Sequence, residues 1–130
     1  MRQKFASVLC LLTLLTVPAL ADPLELASDD IKKSLTAPEL TAEGAPLDRD
    51  DLNAFYKARD FRPAWNLTGD ANAAALTIFL TSIGRLIDYH GLRREDYALD
   101  KLRTLAAAGD EQSRLTFELL ASDTLLQFAR

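Results

Sequence analysis

Apolar residues in this chain recur every three to four positions, which is the spacing of one face of an α-helix. The clearest example runs from Asp70 to about Tyr89. Its apolar positions are Leu76, Phe79, Leu80, Ile83 and Ile87, and the residues on the other side are Thr77, Thr81, Arg85 and Asp88. Gly91 follows as a predicted left-handed C-terminal cap, with Leu92 packing back on the helix.

The same spacing predicts three further helices, separated by turns. The first runs from Asp48 to about Arg59, with Leu52, Phe55 and Tyr56 on its apolar side. The second begins at Leu99, has Leu102 and Leu105 as further apolar positions, and is closed by Gly109. The third starts at Asp110 or Ser113 and runs to the end of the chain. Arg93–Tyr97 reads as a turn or a single helical turn. No alternating β-branched run and no Asn-Gly turn occurs, so we expect no strand. The predicted fold class is all-α, a small domain of about four helices.

The segment before Asp48 is less regular. Asp22 to Leu35 suits a short helix, with Asp22 as the N-cap and Pro23 at the first helical position. Thr36 to Pro46 holds two prolines and a glycine without an apolar rhythm. This composition predicts a linker or surface loop.

The last helix has an unusually wide apolar surface. Its residues Leu115, Phe117, Leu119, Leu120, Ala121, Leu125, Leu126, Phe128 and Ala129 cover more than half of the circumference. Glu118 and Ser122 interrupt this arc, and the polar strip is narrow. A helix on the outside of a small domain needs an apolar stripe of only about 100° or somewhat more. We therefore expect further cover from the same polypeptide or a partner, and marginal stability or self-association of residues 22–130 alone.

The N-terminus has the features of a secretory signal. Arg2 and Lys4 precede an apolar run of roughly 13 residues, which is shorter than the ~20 residues that span a bilayer. Ala19 and Ala21 supply the small residues of a cleavage site. We predict a signal peptide over residues 1–21, export to the periplasm and no stable membrane anchor.

Charge and cysteine content exclude several classes of protein. Without Arg2 and Lys4 the chain keeps 13 Lys and Arg against 19 Asp and Glu, a balance that disfavours nucleic-acid binding. The single cysteine, Cys10, lies in the predicted signal, so the mature chain has no thiol nucleophile, thiolate ligand or disulfide. With His90 as the one histidine, a zinc site of several histidines is also excluded.

The remaining candidates for chemistry have simpler structural explanations. His90 suits the last turn of a helix, where the dipole favours it. A catalytic triad would need Ser82 or Ser122 beside it, with Asp88 or Asp96 as the orienting acid. Neither serine lies in a glycine-flanked turn. The interpretation we favour for His90 is the helix-terminal one.

Paired carboxylates and aromatic residues are the other candidates. The pairs Asp29-Asp30, Asp50-Asp51 and Glu95-Asp96 fall at expected helix starts or turns, where capping explains them better than glycosidase chemistry. Trp65, with Tyr56, Phe55 and Arg62, fits the core of a small domain better than a sugar-stacking surface. Arg59 and Arg62 are expected to pair with Asp60 or the acidic helix start. We assign no catalytic, cofactor-binding or metal-ligating residue.

Three segments carry a family resemblance: FYKARDFRPAW (55–65), HGLRREDY (90–97) and ELLASDTLLQFAR (118–130). Together they resemble the N-terminal helical scaffold of the YcbB-like periplasmic L,D-transpeptidases, over about residues 47–130. Ser122 stands where the family usually has threonine, which is followed there by aspartate or a small residue, as by Asp123 here. The resemblance implies a peptidoglycan-binding module and a catalytic domain with a cysteine and a histidine, and no residue of this chain matches that catalytic motif.

The resulting layout is a signal peptide (1–21), an N-terminal segment and linker (22–46) and a scaffold-like helical domain (47–130). The first interpretation is a non-catalytic scaffold domain involved in cell-wall cross-linking, as a truncated or stand-alone product. Its partners would be the catalytic and peptidoglycan-binding domains. The alternative is an independent periplasmic adaptor that binds another cell-wall protein through its last helix. A helical enzyme with an unrecognised site is a third possibility. No cofactor is implied.

Overall fold

A computed structural model describes residues 26–65 and 70–130, with side chains described from residue 74 onward in the second range. Its elements in chain order are α1 Ser28–Thr36, β1 Thr41–Ala42, β2 Ala45–Pro46, α2 Arg49–Lys57, α3 Asp70–Tyr89, a 3-10 helix Arg94–Tyr97, α4 Leu99–Ala108 and α5 Glu111–Phe128. The predicted signal peptide, the Asp22-Pro23 helix start and the side chain of Asp70 at the start of α3 lie outside the described residues.

The all-α prediction is confirmed, and four of the helices (α2 to α5) lie within residues 47–130. Their boundaries follow from the predicted caps. The Asp48 carboxylate accepts the Asp51 N–H at the start of α2, and Asp110 does the same for Ser113 at the start of α5. Gly91 and Gly109 have φ angles of 66° and 77°, so both end their helices in the left-handed conformation as predicted.

The linker and no-strand predictions for Thr36–Pro46 were wrong. The strands β1 and β2 pair antiparallel, with Ala42 opposite Ala45, through a two-residue turn. The turn residues Glu43 and Gly44 both have positive φ angles, which is the geometry of a type I′ hairpin. Because the hairpin uses Glu-Gly in place of Asn-Gly, the sequence signal was missed. Leu40, Ala42 and Leu47 are buried, so this segment contributes to the core.

Helix α1 is shorter than predicted. It begins at Ser28 with Ala27 at the N-cap position, and no side-chain hydrogen bond caps it. Its inner face buries Ile31 and Leu35 in the same core cluster as α2 and α5. The Arg49 guanidinium at the start of α2 donates to the carbonyl oxygens of Leu35 and Ala37, the latter at 2.7 Å. A cation at the carbonyl end of a helix is favoured by the helix dipole.

Helix α5 forms the centre of the domain. Every residue from 117 to 124 is buried, including all faces of more than two helical turns. The expectation that this helix lacks cover was therefore wrong. Helices α1, α2 and α4 and strand β1 all contact it and provide that cover within the chain. The reason for expecting marginal stability or self-association of residues 22–130 therefore no longer applies.

Helix α3 packs at the edge of the domain. Leu80, Ile83 and Ile87 are buried on its inner face, as the apolar spacing predicted. Its opposite side is more apolar than predicted, since Ile78 and Leu86 are exposed among the polar residues. Among the described residues, no helix combines the length and apolar content that a membrane span requires.

The core position of α5 gives a stability prediction. Phe117 is fully buried and Ile78 is 68% exposed, so the same kind of truncation has very different consequences at the two sites. We expect Phe117→Ala to lower the free energy of unfolding by about 3–5 kcal/mol, through lost burial and a residual cavity. Ile78→Ala is the matched control, with an expected change within about 0.5 kcal/mol. Urea denaturation followed by circular dichroism measures both, and equal losses would contradict the central position of α5.

Candidate functional site

Helix α5 carries four buried polar residues, Glu118, Ser122, Asp123 and Thr124. The side chains of Glu118, Ser122 and Asp123 bond to helix α2 or to the chain directly before or after it. No buried side-chain polar atom among the described residues lacks a hydrogen-bond partner. Such groups are costly to bury unless each is satisfied, so this cluster identifies the most constrained place in the domain.

The Glu118 carboxylate lies at the centre of the cluster. Its Oε1 accepts a hydrogen bond from the Tyr56 hydroxyl at 2.8 Å and another from the Ala64 N–H. Its Oε2 accepts from the Trp65 N–H at 3.1 Å. The tyrosine hydroxyl lies equally close to the Ser122 hydroxyl, at 2.7 Å. One carboxylate therefore joins helix α5, helix α2 and the chain after α2.

The chain after α2 turns through an unusual corner. Asp60 and Phe61 both have left-handed φ angles, 54° and 57°, which are uncommon for residues other than glycine. The Phe61 N–H donates to the Tyr56 carbonyl at 2.8 Å. The Arg59 side chain donates to the carbonyl oxygens of Arg62 (2.8 Å) and Pro63 (3.1 Å). We call residues 59–65 the corner.

These contacts correct the prediction for the two arginines. Neither Arg59 nor Arg62 forms an ion pair with Asp60 or with the acidic start of α2 in the described part of the chain. Both guanidinium groups donate to backbone carbonyls of the corner, and Arg62 Nε reaches the Arg59 carbonyl at 3.1 Å. The Arg59 carbonyl also accepts the Arg62 backbone N–H at 3.1 Å, whereas the Arg62 and Pro63 carbonyls accept from the Arg59 side chain.

Trp65 closes the corner against the core, in agreement with the interpretation as a core residue. Its ring lies 4.4 Å from that of Phe79 and 6.4 Å from that of Phe117, measured between centroids. Its indole Nε1 donates to the Ser122 hydroxyl at 3.1 Å. Trp65 therefore connects α3 with α5 and leaves no buried indole N–H without an acceptor.

The third buried residue, Asp123, holds the other end of α2. Its carboxylate accepts the Asp48 backbone N–H at 2.9 Å and a hydrogen bond from the Gln127 amide. The Arg130 guanidinium also reaches the carboxylates of Asp48 (2.6 Å) and Asp51. This ion pair lowers the pKa of Asp48. Helix α5 thus bonds to α2 at both ends, through Asp123 at the start and through Glu118 and Ser122 near the finish.

Burial shifts two protonation equilibria in the cluster. The pKa of the Glu118 carboxyl is raised, chiefly by burial, although the hydrogen bonds from Ala64, Tyr56 and Trp65 act in the opposite direction. The pKa of the Tyr56 hydroxyl is also raised, by burial first and by the Glu118 charge second. The tyrosine therefore stays protonated at neutral pH and remains a hydrogen-bond donor to the carboxylate.

The described residues do not assemble a catalytic triad. Ser122 is buried beneath Tyr56 and Trp65, whereas His90 is exposed just after α3, with its ring 5.2 Å from that of Tyr89 between centroids. Asp88 pairs with Arg94, which lowers the pKa of that carboxyl. The three carboxylate pairs lie in first turns of helices, as predicted, but none of them is a cap: Asp48 caps α2, and no side chain caps α1 or the 3-10 helix. Acidic residues in a first turn are favoured by the helix dipole.

Comparison with known proteins identifies the family of this chain. A family model described as Scaffold domain matches residues 50–130, which is more than half of the chain. The chain belongs to the Scaffold domain family. This family is the N-terminal scaffold of L,D-transpeptidases, so the resemblance carried by the three sequence segments is confirmed. No curated protein and no solved structure matches the chain.

The Scaffold domain match begins within α2 and contains the corner, Trp65 and the whole of α5. Tyr56 and Trp65 were candidates from the sequence, whereas Ser122 was considered only as a triad serine and Glu118 had no predicted role. The signal for both was present, because they were the two polar interruptions of an otherwise apolar arc on α5. A polar residue on the apolar face of a helix indicates a buried hydrogen-bond partner, which only the fold identifies.

The hydrogen bonds of Tyr56 lead to a second stability prediction. Tyr56→Phe removes one hydroxyl and leaves the buried Glu118 and Ser122 each with one partner fewer. We expect the free energy of unfolding to fall by about 1–3 kcal/mol. Tyr89→Phe, at a ring that is 84% exposed, is the matched control and should change it by less than about 0.5 kcal/mol. Urea denaturation of both variants tests this, and a Tyr56→Phe variant as stable as the control would contradict the role of the hydroxyl.

The raised pKa of Glu118 predicts a pH dependence. Below the ordinary glutamate pKa of about 4.3, both folded and unfolded chains hold the proton. As the pH rises through that value towards the raised one, the unfolded chain ionises first, and folding becomes less favourable. The stability of the natural protein should therefore fall relative to Glu118→Gln over this window.

Subtracting the two stability curves isolates Glu118. Asp48, Asp88 and Asp110 have lowered pKa values and produce the opposite slope, but they are present in both proteins and cancel in the difference. Glu39→Gln, at an exposed carboxyl, controls for the general effect of removing a charge. A difference that stays constant would show that the hydrogen bonds balance burial at Glu118, and one that changes in favour of the natural protein as the pH rises would show that they outweigh it. Either result would contradict the prediction.

Proposed function

We propose that this protein is the non-catalytic scaffold of a periplasmic L,D-transpeptidase and takes part in peptidoglycan cross-linking. The membership of residues 50–130 in the Scaffold domain family supports a scaffold role within a larger protein. The cross-linking reaction itself would belong to a catalytic domain with a cysteine nucleophile, which the resemblance implies and this chain does not match. Export through residues 1–21 and the periplasmic location are part of the same proposal.

The main observation behind this proposal is that polar residues of the family motif form structural hydrogen bonds within the domain. Tyr56 and Arg59 both belong to the motif segment 55–65, and their polar atoms bond to Glu118, Ser122 or the corner backbone. Groups already engaged in this way are poorly placed to act on a substrate. Their role is to hold a shape, which is the property required of a scaffold.

An independent periplasmic adaptor is the second candidate function. The last helix no longer supports it, because that helix is covered by the rest of the chain. Exposed apolar residues on α3 now favour the adaptor instead, since exposed apolar surface on a small domain is typical of a binding site.

The coding sequence after the codon for Arg130 discriminates between the candidates. A reading frame that encodes a cysteine-containing catalytic domain supports the scaffold, and an unrelated gene supports the adaptor.

The decisive experiment measures cross-links in the source organism. We expect an in-frame deletion of the region encoding residues 22–130 to lower the fraction of L,D cross-links in muropeptides separated by liquid chromatography and identified by mass spectrometry. The natural sequence and Glu39→Ala should restore that fraction. Glu118→Ala should not, since it leaves the Ala64 and Trp65 N–H groups without an acceptor.

Two results would contradict the proposal. An unchanged cross-link fraction in the deletion strain would remove the connection to cross-linking and leave the adaptor. Cross-links formed or cut by the purified protein alone, incubated with muropeptides, would show that the chain is an enzyme after all.

A further inference from the structure

The segment that precedes the Scaffold domain match packs into the same core as the matched residues. The match begins at residue 50, whereas helix α1 and the hairpin β1–β2 lie between residues 26 and 47. We call residues 26–47 the clasp. Its buried apolar residues belong to one cluster with those of α2, α3, α4 and α5. They are Ile31, Leu35, Leu40, Ala42 and Leu47.

The clasp covers one side of the central helix. Among the elements that contact α5, helix α1 and strand β1 both belong to the clasp. Leu115 and Leu119 of α5 line the same groove as Leu40 and Ala42 of the clasp, and Leu119 is only 5% exposed. If the clasp moved away, this apolar side of α5 would return to water, at a cost proportional to the area exposed.

The clasp also passes into α2 without a linker. Its last residue is buried, and the next one, Asp48, is the N-cap of α2 and donates its backbone N–H to Asp123 of α5 at 2.9 Å. The Arg49 guanidinium then reaches back to the carbonyl oxygens of Leu35 and Ala37 at the end of α1. The start of α2 is therefore bonded both to the clasp and to the central helix.

Two lysines make further contacts at the outside of the clasp. The Lys101 ammonium on α4 donates to the Glu43 carbonyl in the hairpin turn at 3.1 Å. The Lys32 ammonium on α1 lies 5.4 Å from the centre of the Phe61 ring in the corner. Each contact is exposed and contributes little by itself. Together they show that α4 and the corner also touch the clasp.

We propose that the clasp is part of the cooperative folding unit of this scaffold, so that α1 and the hairpin do not open while α5 remains folded. The domain then extends from residue 26 to residue 130 and begins well before the family match. The opposite arrangement is a detachable N-terminal arm, whose opening would expose the apolar side of α5 to a partner. A closed clasp denies partners that surface. The inference rests on burial and contacts and is independent of the assignment to an L,D-transpeptidase.

Hydrogen exchange of the natural protein, followed for single amides by NMR at low urea concentrations, tests the proposal without any substitution. The Leu35 amide reports on α1, and the Leu47 amide, which donates to the Leu40 carbonyl at 3.0 Å, reports on the hairpin. The Leu120 amide reports on α5. We expect the opening constants of the three amides to agree within about threefold and to depend on urea in the same way.

Substitutions in the clasp provide the second part of the test. Leu35→Ala truncates a residue that is 1% exposed and should accelerate exchange at Leu120 as well as at Leu47, by about 30-fold or more. Arg49→Gln removes the donor to the α1 carbonyls and should accelerate both by about tenfold. Lys33→Ala is the matched control at an exposed position of α1, with an expected change of less than about threefold.

The outcomes separate the two arrangements. Clasp amides that exchange through an opening at low urea while Leu120 stays protected would overturn the proposal. A Leu35→Ala variant that accelerates exchange in the clasp alone would overturn it as well, since both results describe a detachable arm. A Leu35→Ala chain that fails to fold would support the proposal, because an arm can be lost without loss of the fold. Arg49→Gln then supplies the graded measurement, and an unchanged Leu120 rate in that variant would count against the cooperative unit.

Discussion

The buried carboxylate of Glu118 is the constraint on which the rest of this domain depends. Covering a charge is unfavourable unless its hydrogen-bonding capacity is used, and here Tyr56, Ala64 and Trp65 all donate to it. These donors come from a helix and a corner more than fifty residues earlier in the chain. The carboxylate is stable in this place only when the corner and α5 are correctly positioned, so the cluster couples local geometry to the global fold.

The consequence is a domain organised around its last helix. Asp123 bonds to the start of α2, and Glu118 with Ser122 bonds near its end, so the two helices have a defined register. The corner then directs Trp65 between Phe79 of α3 and Phe117 of α5. Apolar packing provides most of the stabilisation in such a core, whereas satisfied polar contacts select one arrangement among several apolar alternatives.

This division of roles explains why the chain has a recognisable family motif although its described residues do not form a catalytic triad. The segment 55–65 contains an aromatic pair, two arginines and a tryptophan, which could suggest a binding surface. In the fold these residues stabilise a corner with two left-handed residues, Asp60 and Phe61. The segment 55–65 therefore fixes how the chain turns after α2.

Much of the secondary structure was determined by the sequence alone, because its causes are local. Helical spacing, the Asp48 and Asp110 caps and the left-handed Gly91 and Gly109 act over three to five residues, and all were predicted correctly. Tertiary structure decided what depends on distant neighbours. The burial of α5 on all sides and the acceptor role of Glu118 follow from segments far apart in sequence. The Glu43-Gly44 hairpin is local, and its unusual turn residues concealed it, whereas the burial of its Ala42 depends on the rest of the core. A side chain's environment, unlike its helical propensity, is a property of everything packed around it.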